Sequence, residues 1–193
     1  MKALIVSHHY LDGNGGGVFA SRGFINAFAC LYDDVTLMCP VKRGVHPEHI
    51  SSKVRKIVEV PEERSSLRKA FDLLSGRFHR FGKVFPALLS EEHFDIIVFD
   101  TCYPAGDLAG RAKKSGARVV TIHHNWQYAY EKDNAVGLAG PIKLFWMPRC
   151  ERKAVLSSDL NIALTEQDRE TLYRQYDPSR SSRIVVCPPF EYE

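Results

Sequence analysis

Histidine and aspartate side chains stand at the ends of three apolar runs of the chain, and their chemistry suits a binding or catalytic site. His8 and His9 follow the first run, Asp100 closes the fourth, and His123 and His124 follow the fifth. Imidazole and carboxylate groups can hydrogen-bond a polar ligand, transfer a proton or bind a metal ion. Adjacent residues of a strand point to opposite faces, so each histidine pair offers one ring to a cleft. We expect one ring of the first pair, taken as His9, to converge with Asp100 and His123 on a substrate.

A glycine-rich turn follows the first apolar run and leads into a helical pattern. The turn contains Gly15, Gly16 and Gly17. In a parallel β-α-β unit, such a turn exposes backbone N–H groups and a helix N-terminus at the carboxyl edge of the sheet. An anion or a polar ligand can be held there, so the three glycines are predicted to contact the substrate.

Residues 15–20 also satisfy the GxGxxA pattern of dinucleotide-binding proteins. That pattern works together with an acidic residue about twenty positions further on, which binds the ribose hydroxyls of the cofactor. The second apolar run instead ends in Cys39-Pro40, which argues against a nicotinamide cofactor. A nicotinamide-dinucleotide-binding oxidoreductase domain is kept as an alternative interpretation.

The elements that must position these residues alternate between strand-like and helical patterns. Apolar, strand-like runs cover 3–6, 35–39, 54–60, 95–100, 117–122, 159–164 and 183–187, and helical spacing covers 18–31, 64–89, 105–115, 142–157 and 166–176. Continuous apolar runs are typical of strands that are covered on both faces. The pattern therefore predicts an α/β fold with a doubly wound, mostly parallel, Rossmann-like sheet in the strand order 3-2-1-4-5-6 and helices on both faces.

Length and composition narrow the function classes. The chain of 193 residues suits one large domain, and its 26 basic against 23 acidic residues give a net charge of +3, too small to predict nucleic acid as a partner. Its five cysteines are odd in number and form no CxxC pair, which favours free thiols and a cytoplasmic location. No apolar run reaches the roughly eighteen residues that a membrane span needs.

A basic, phenylalanine-rich stretch has two open interpretations. Apolar residues form one helical face at positions 67, 71, 74, 78, 81, 85 and 88. This face could pack on the sheet. Alternatively, it could dock with Arg77, Arg80 and Lys83 on an anionic membrane surface. Gly76 and Gly82 weaken the helix and allow a break.

Thr165 stands where the last helical pattern begins. Acidic residues follow it at positions 166 and 168, so Thr165 is predicted to cap a helix N-terminus. Its hydroxyl could also contact a ligand at the same edge of the sheet.

Taken together, these segments resemble the N-terminal domain of retaining glycosyltransferases of family 4, which have the GT-B fold. The matching segments are the strand, glycine turn, helix and strand of residues 4–39, then Val120-Thr121-Ile122-His123, Glu151-Arg152, Asp159 and Thr165-Glu166. The resemblance runs from Met1 to about Pro189. It implies that His123, Glu151 and Thr165 contribute to the substrate cleft.

The resemblance further implies that residues 1–189 form the acceptor-side domain and that 190–193 begin a linker. The donor half of such enzymes carries two glutamates eight positions apart, and no glutamate pair of this sequence has that separation. A nucleotide-sugar donor is then expected as co-substrate, bound mainly by a C-terminal donor domain, with no cofactor and no metal ion. The acceptor is expected to be a glycan or a lipid-linked glycan of cell-surface polysaccharide or glycolipid synthesis. We assign no catalytic residue, and we expect residues 1–193 alone to transfer no sugar.

The sequence departs from the family pattern at two places. Asp100 stands where the family often carries a histidine, and Pro188-Pro189-Phe190 replaces its usual exit. Two alternatives stay open: a metal-dependent hydrolase built from His8, His9, Asp100 and His123, and a non-catalytic flavodoxin-like binding domain.

Overall fold

The computed structural model describes residues 1–61, 66–134, 136–137 and 139–190. Its strands are β1 Lys2–Ser7, β2 Asp34–Val41, β3 Val54–Pro61, β4 Ile96–Asp100, β5 Arg118–His123, β6 Leu160–Ala163 and β7 Ile184–Val186. Its helices are α1 Gly16–Leu31, α2 Ser66–Leu74, α3 Val84–Glu91, α4 Cys102–Lys114, α5 Gln127–Asn134, α6 Ala139–Ser157 and α7 Glu166–Tyr176.

The strands form one parallel sheet in the order β3-β2-β1-β4-β5-β6-β7. This confirms the predicted Rossmann-like architecture. The strand order reverses at β1, which pairs with β2 on one side and β4 on the other. The register places Ser7 beside Asp100 and Asp100 beside Ile122. The carboxyl ends of β1, β4 and β5 therefore meet at the switch point, where open α/β sheets bind their ligands.

Apolar layers cover the sheet on both faces. Leu4 and Phe99 point to the face covered by α3, α4 and α6, whereas Ile5 and Val98 point to the face covered by α1. Strand alternation continues to the carboxyl edge. Ser7 comes two residues after Ile5, and Asp100 comes two residues after Val98. Both side chains therefore lie on the α1 side of the sheet.

The expectation of one helix over 64–89 is wrong. Residues 64 and 65 lie outside the described residues, α2 ends at Leu74, and α3 begins only at Val84. Gly76 ends α2 with φ of +70°, and a Cβ there would lie 2.8 Å from the ring of Trp146. The apolar residues of this stretch therefore differ in burial. Phe81 and Phe85 are fully buried, whereas Leu67 on α2 is exposed. No helix within the described ranges combines the length and the hydropathy needed to span a membrane.

The chain leaves the sheet after β7 and packs back on α1. The ring of Phe190 lies 5.2 Å from that of Phe24, and a Cβ on Gly23 would lie 2.4 Å from the carbonyl oxygen of Phe190. Residue 190, the first of the predicted linker, thus contacts the domain. Residues 191–193 lie outside the described residues.

Candidate functional site

Asp100 is the centre of a polar cluster at the carboxyl edge of the sheet. Its side chain is buried and accepts hydrogen bonds from Ser7 Oγ at 2.7 Å and from His124 Nε2 at 2.6 Å. His9 completes the group, with its ring centroid 5.4 Å from that of His124. We call Ser7, His9, Asp100 and His124 the edge cluster. It lies on the α1 side of the sheet, as strand alternation requires.

The surroundings keep Asp100 ionised. Burial on its own would raise the pKa of this carboxyl, but the charges and hydrogen bonds of His124, His9 and Ser7 outweigh burial and hold the pKa well below its usual range. The edge cluster therefore contains a buried carboxylate that is negative at physiological pH and fixed by two donors.

His9 lies between Asp100 and the glycine turn. Burial lowers the pKa of His9, Asp100 opposes that shift, and His124 adds to it. The net lowering favours a neutral ring, which can accept a hydrogen bond from a ligand hydroxyl. A Cβ on Gly17 would lie only 3.1 Å from His9 Cε1. Glycine at position 17 is what allows the helix N-terminus to approach this ring.

The structure distinguishes among the three predicted glycines. Gly15 is the N-cap of α1, and Gly16 and Gly17 form its first turn. A Cβ on Gly15 or Gly16 would meet no atom of the described residues within 4 Å, so only Gly17 is restricted by space. Within the part of the chain that the structure describes, no side chain caps this helix. Its first N–H groups lack intrahelical acceptors and point toward the carboxyl edge.

Backbone strain marks the residue after Asp100. Thr101 has φ of +101°, a region that β-branched residues rarely adopt, and its hydroxyl is buried without a hydrogen-bond partner in the structure described. Its N–H donates to Ile122 O at 3.1 Å. The strained turn directs the chain into α4 immediately beyond the edge cluster. Sequence reasoning gave no signal for this feature.

His123 does not lie where it was expected. Strand alternation sends its ring to the opposite face from His124, where Nε2 lies 3.0 Å from Asn161 Oδ1 and the residue is only 2% exposed. Burial, acting against the Asn161 hydrogen bond, lowers the pKa of His123 to about 4. The structure thus brings together His9 and Asp100 as expected, but with His124 in place of His123.

Glu151 is fully buried, and its carboxylate is occupied by groups of the protein. It accepts hydrogen bonds from the N–H of Gln127 at 2.7 Å, the N–H of Tyr128 at 3.0 Å and the hydroxyl of Tyr176 at 2.7 Å. Burial raises the pKa of Glu151 to about 7, against the lowering effect of these donors. Instead of the expected substrate contact, the structure shows a residue that holds the N-terminus of α5 against α6 and α7.

Thr165 caps α7, as its position in the sequence predicts. Its Oγ1 accepts the N–H of Asp168 at 3.0 Å and lies 2.6 Å from an oxygen of that carboxylate. The other carboxylate oxygen accepts the N–H of Trp126 at 3.2 Å. Thr165 itself is exposed at the carboxyl end of β6, so its position leaves room for a ligand contact.

The basic residues of the predicted membrane surface do not form one stripe. Arg77 and Arg80 line a pocket of about 310 Å³ together with His8 and further basic side chains, whereas Lys83 is exposed and is not among the pocket residues. We call this pocket the basic pocket. It lies on the α4 side of β1, where the ring of His8 stacks on that of Tyr103 at 4.5 Å.

The edge cluster has the donor set of a metal site. One ligand atom each from His9, Asp100 and His124 lies within 4.8 Å of the other two. Imidazole and carboxylate ligands suit Zn²⁺ and other divalent transition metals. Sequence spacing gave no metal signal, because the three ligands come from the ends of three different strands.

A family model described as Glycosyltransferase Family 4 matches residues 14–190 of the chain. No curated protein sequence matches the chain significantly.

Solved structures share the fold at low sequence identity. A sucrose-phosphate synthase from Thermosynechococcus elongatus superposes with a TM-score of 0.67 at 14% identity, over 97% of this chain and 48% of that one. Arabidopsis thaliana UGT89C1, complexed with UDP-L-rhamnose, gives 0.58 at 12%, over 99% and 53%. The lipopolysaccharide outer core galactosyltransferase WaaB gives 0.51 at 12%, over 96% and 45%. The chain spans about half the length of these proteins.

Proposed function

The chain belongs to Glycosyltransferase Family 4, and from this premise we propose that residues 1–189 are the acceptor-binding half of a retaining glycosyltransferase. The whole protein would transfer a sugar from a nucleotide-sugar donor to a glycan or lipid-linked acceptor of cell-surface polysaccharide or glycolipid synthesis. The observation that carries this proposal is the edge cluster beside the uncapped N-terminus of α1 at the switch point of the sheet.

Each part of the site has a distinct task in this proposal. The first N–H groups of α1 offset the negative charge of the departing diphosphate, a role that helix N-termini suit. The neutral ring of His9 accepts a hydrogen bond from a hydroxyl of the acceptor or of the transferred sugar. Asp100 holds His124 and Ser7, so it positions the wall of the cleft. No residue is assigned as nucleophile or general base.

The proposal requires a second domain. The chain covers about half of each similar structure, among them one complexed with UDP-L-rhamnose. We propose that a C-terminal donor domain binds most of the nucleotide sugar and closes the cleft over His9 and Gly17. Residues 1–193 alone would then bind acceptor but transfer nothing.

The test compares two proteins and two variants, one of which is a control. The protein that carries both halves should release nucleoside diphosphate from UDP- or GDP-sugars in an acceptor-dependent way, and NMR of the product should show the anomeric configuration of the donor. Asp100→Asn should reduce turnover at least tenfold, whereas Lys114→Gln, an exposed change at the end of α4, should not. Turnover by residues 1–193 alone, or an Asp100→Asn variant of full activity, would contradict the proposal.

A metal-dependent hydrolase is the second candidate, because the edge cluster supplies two imidazoles and a carboxylate. Such an enzyme would retain about one divalent metal ion per chain after purification, and His9→Ala would release it. Elemental analysis of the purified chain separates this candidate from the transferase. For the oxidoreductase alternative, an unchanged fluorescence of NADH on mixing with the chain would exclude nicotinamide binding.

We also propose a cytoplasmic location, peripheral at the inner face of the membrane. The support is the exposed apolar side chains of α2, of which Leu67 is 84% and Leu74 62% exposed, together with the exposed basic residues Lys69, in the same helix, and Lys83. Flotation with vesicles that contain phosphatidylglycerol should recover the chain, and Leu67→Ser with Leu74→Ser should abolish recovery. Equal flotation of wild type and double variant would remove this part of the proposal.

A further inference from the structure

The basic pocket combines an unusual charge with an aromatic wall. Four cationic side chains line it, with Asp72 as the one carboxylate among the lining residues that the structure describes; the cations are Lys69, Arg77, Arg80 and Lys143. Phe78 and Tyr103 form the wall, with their rings edge to face at 6.0 Å. The expected membrane role of Arg77 and Arg80 does not explain why these side chains converge on a concave surface.

The cations are only partly neutralised by their neighbours. Arg77 Nε lies 3.9 Å from Asp107 Oδ2, beyond hydrogen-bond distance, and the Arg77 side chain is 44% exposed. Arg80 donates to the hydroxyl of Tyr10 and stacks over its ring at 4.8 Å, a contact that leaves the charge in place. Lys143 Nζ lies 3.3 Å from a carboxylate oxygen of Glu131.

His8 belongs to the wall of this pocket. Its ring stacks on that of Tyr103 at 4.5 Å, so the cations lie beside a largely aromatic surface. Charges act more strongly beside such a surface than in open solvent, and clustered cations there stabilise an anion.

We propose that the basic pocket binds a phosphate group of the acceptor, held by Lys69, Arg77 and Lys143. A phosphate ester or diphosphate carries enough negative charge and enough acceptor oxygens for several cations, and arginine and lysine are the usual residues that bind it. A single carboxylate would need only one of them. The proposal rests on the proposed function, because it takes the occupant to be the acceptor.

The position of the pocket fits this substrate class. His8 and His9 are adjacent in the turn that follows β1, and their ring centroids are 6.1 Å apart. One ring faces the basic pocket and the other belongs to the edge cluster. An acceptor held by its phosphate against His8 therefore extends across the end of β1 to His9, where the sugar is transferred.

Isothermal titration of residues 1–193 with inorganic pyrophosphate tests the proposal without any transfer reaction. The chain should bind one pyrophosphate, and Lys69→Gln and Arg77→Gln should each weaken binding about tenfold, as expected for the loss of one charge-assisted hydrogen bond. Both positions are largely exposed, so the variants should fold, which circular dichroism would verify. The matched control Lys114→Gln removes one positive charge at the opposite edge of the sheet and should keep the wild-type affinity.

Two outcomes would overturn the proposal: no saturable binding of pyrophosphate, or binding that Lys69→Gln and Arg77→Gln leave at the wild-type affinity. A second arm uses phosphatidylcholine vesicles with and without phosphatidic acid. If the protein floats only with vesicles that contain phosphatidic acid, and Arg77→Gln abolishes this flotation, the phosphate is carried by a lipid. If the protein binds pyrophosphate but does not float with these vesicles, the phosphate belongs to a soluble acceptor. A transferase that uses neutral acceptors would refute the phosphate pocket while leaving the proposed function standing. Pyrophosphate binding by a protein without transferase activity would refute the proposed function and leave the phosphate-binding pocket standing.

Discussion

Acidification should destabilise the domain through His123, and the size of this effect can be worked from the structure. The ring is 2% exposed, hydrogen-bonded to Asn161 and covered on the face opposite the edge cluster. Its pKa falls from 6.5 to about 4, with burial as the largest cause. Between these two pH values the unfolded chain binds a proton that the folded chain does not. Stability is therefore fully present above pH 6.5 and is lost as the pH falls toward 4.

The linkage relation gives the magnitude of this loss. A pKa lowered by about 2.5 units reduces the free energy of unfolding by about 2 kcal/mol at pH 5 and about 3 kcal/mol at pH 4. Domains of this kind are stable by about 5–15 kcal/mol. One histidine would therefore supply a large part of the acid sensitivity of the chain.

Urea unfolding of wild type and His123→Gln at pH 7 and pH 4.5 isolates this contribution. Glutamine does not titrate, and its amide can still bond to Asn161, so the variant should lose less stability on acidification than the wild type. Subtracting the two pH effects removes the contributions of His8 and of every carboxyl group that both proteins share. Equal losses in both proteins would refute the reasoning. So would an NMR titration that places the pKa of His123 near 6.5, because such a ring would face the solvent-filled cleft.

Four further substitutions test the packing and backbone geometry around the site. In α4, a Cβ on Gly106 would lie 2.5 Å from Cys150 Sγ, whereas one on Gly110 would meet no atom of the described residues within 4 Å. Gly106→Ala should therefore destabilise by about 1–3 kcal/mol, and Gly110→Ala should stabilise by about 0.5–1 kcal/mol, in thermal unfolding. Glu151→Ala should lower the free energy of unfolding by about 4 kcal/mol, because three donors lose their acceptor at about 1–3 kcal/mol each. An unchanged free energy of unfolding would contradict this structural role and favour the substrate contact instead. Thr101→Gly should stabilise by about 1 kcal/mol by relieving strain of about 1–3 kcal/mol, and destabilisation would contradict the strain.

The sheet could be predicted from the sequence because its strands are unusually clear. Apolar runs covered on both faces alternate with helical segments, and the observed strand order adds only β7 to the predicted one. The parallel order then fixes which strand ends are neighbours. For this reason the proximity of His9 and Asp100 was predictable before any coordinates.

The choice between His123 and His124 was not predictable, because the sequence of β5 does not show which face of the sheet each side chain points to. Residues 119–122 are buried on both faces, so their pattern does not show which side of the sheet a residue points to. Only the register to β4 and the position of α1 settle that His124 meets Asp100. The resemblance to a family motif pointed to His123, which the structure places against Asn161 on the face opposite Asp100.

The sequence did not predict the role of Glu151, for a different reason. Its partners are the first N–H groups of α5, a helix whose sequence, residues 127–134, is mainly polar and shows no apolar period. The break of the helix near Gly76 is easier to anticipate from the sequence, because glycine weakens a helix at that position. What the sequence did not show is that Trp146 occupies the space where a Cβ at position 76 would stand.

Strand alternation at the end of β1 explains how one short turn can serve two parts of a substrate. His8 and His9 are both kept neutral, but they face a positive pocket and a negative carboxylate, respectively. A phosphate attracted to the first would be repelled by Asp100 if it entered the second. If the proposed acceptor binds here, this charge pattern would orient it with its phosphate on the α4 side and its hydroxyl at His9. Reducing the positive charge of the pocket with Arg77→Glu should abolish pyrophosphate binding and leave the pKa of His9 unchanged by NMR titration, because β1 separates the two sides.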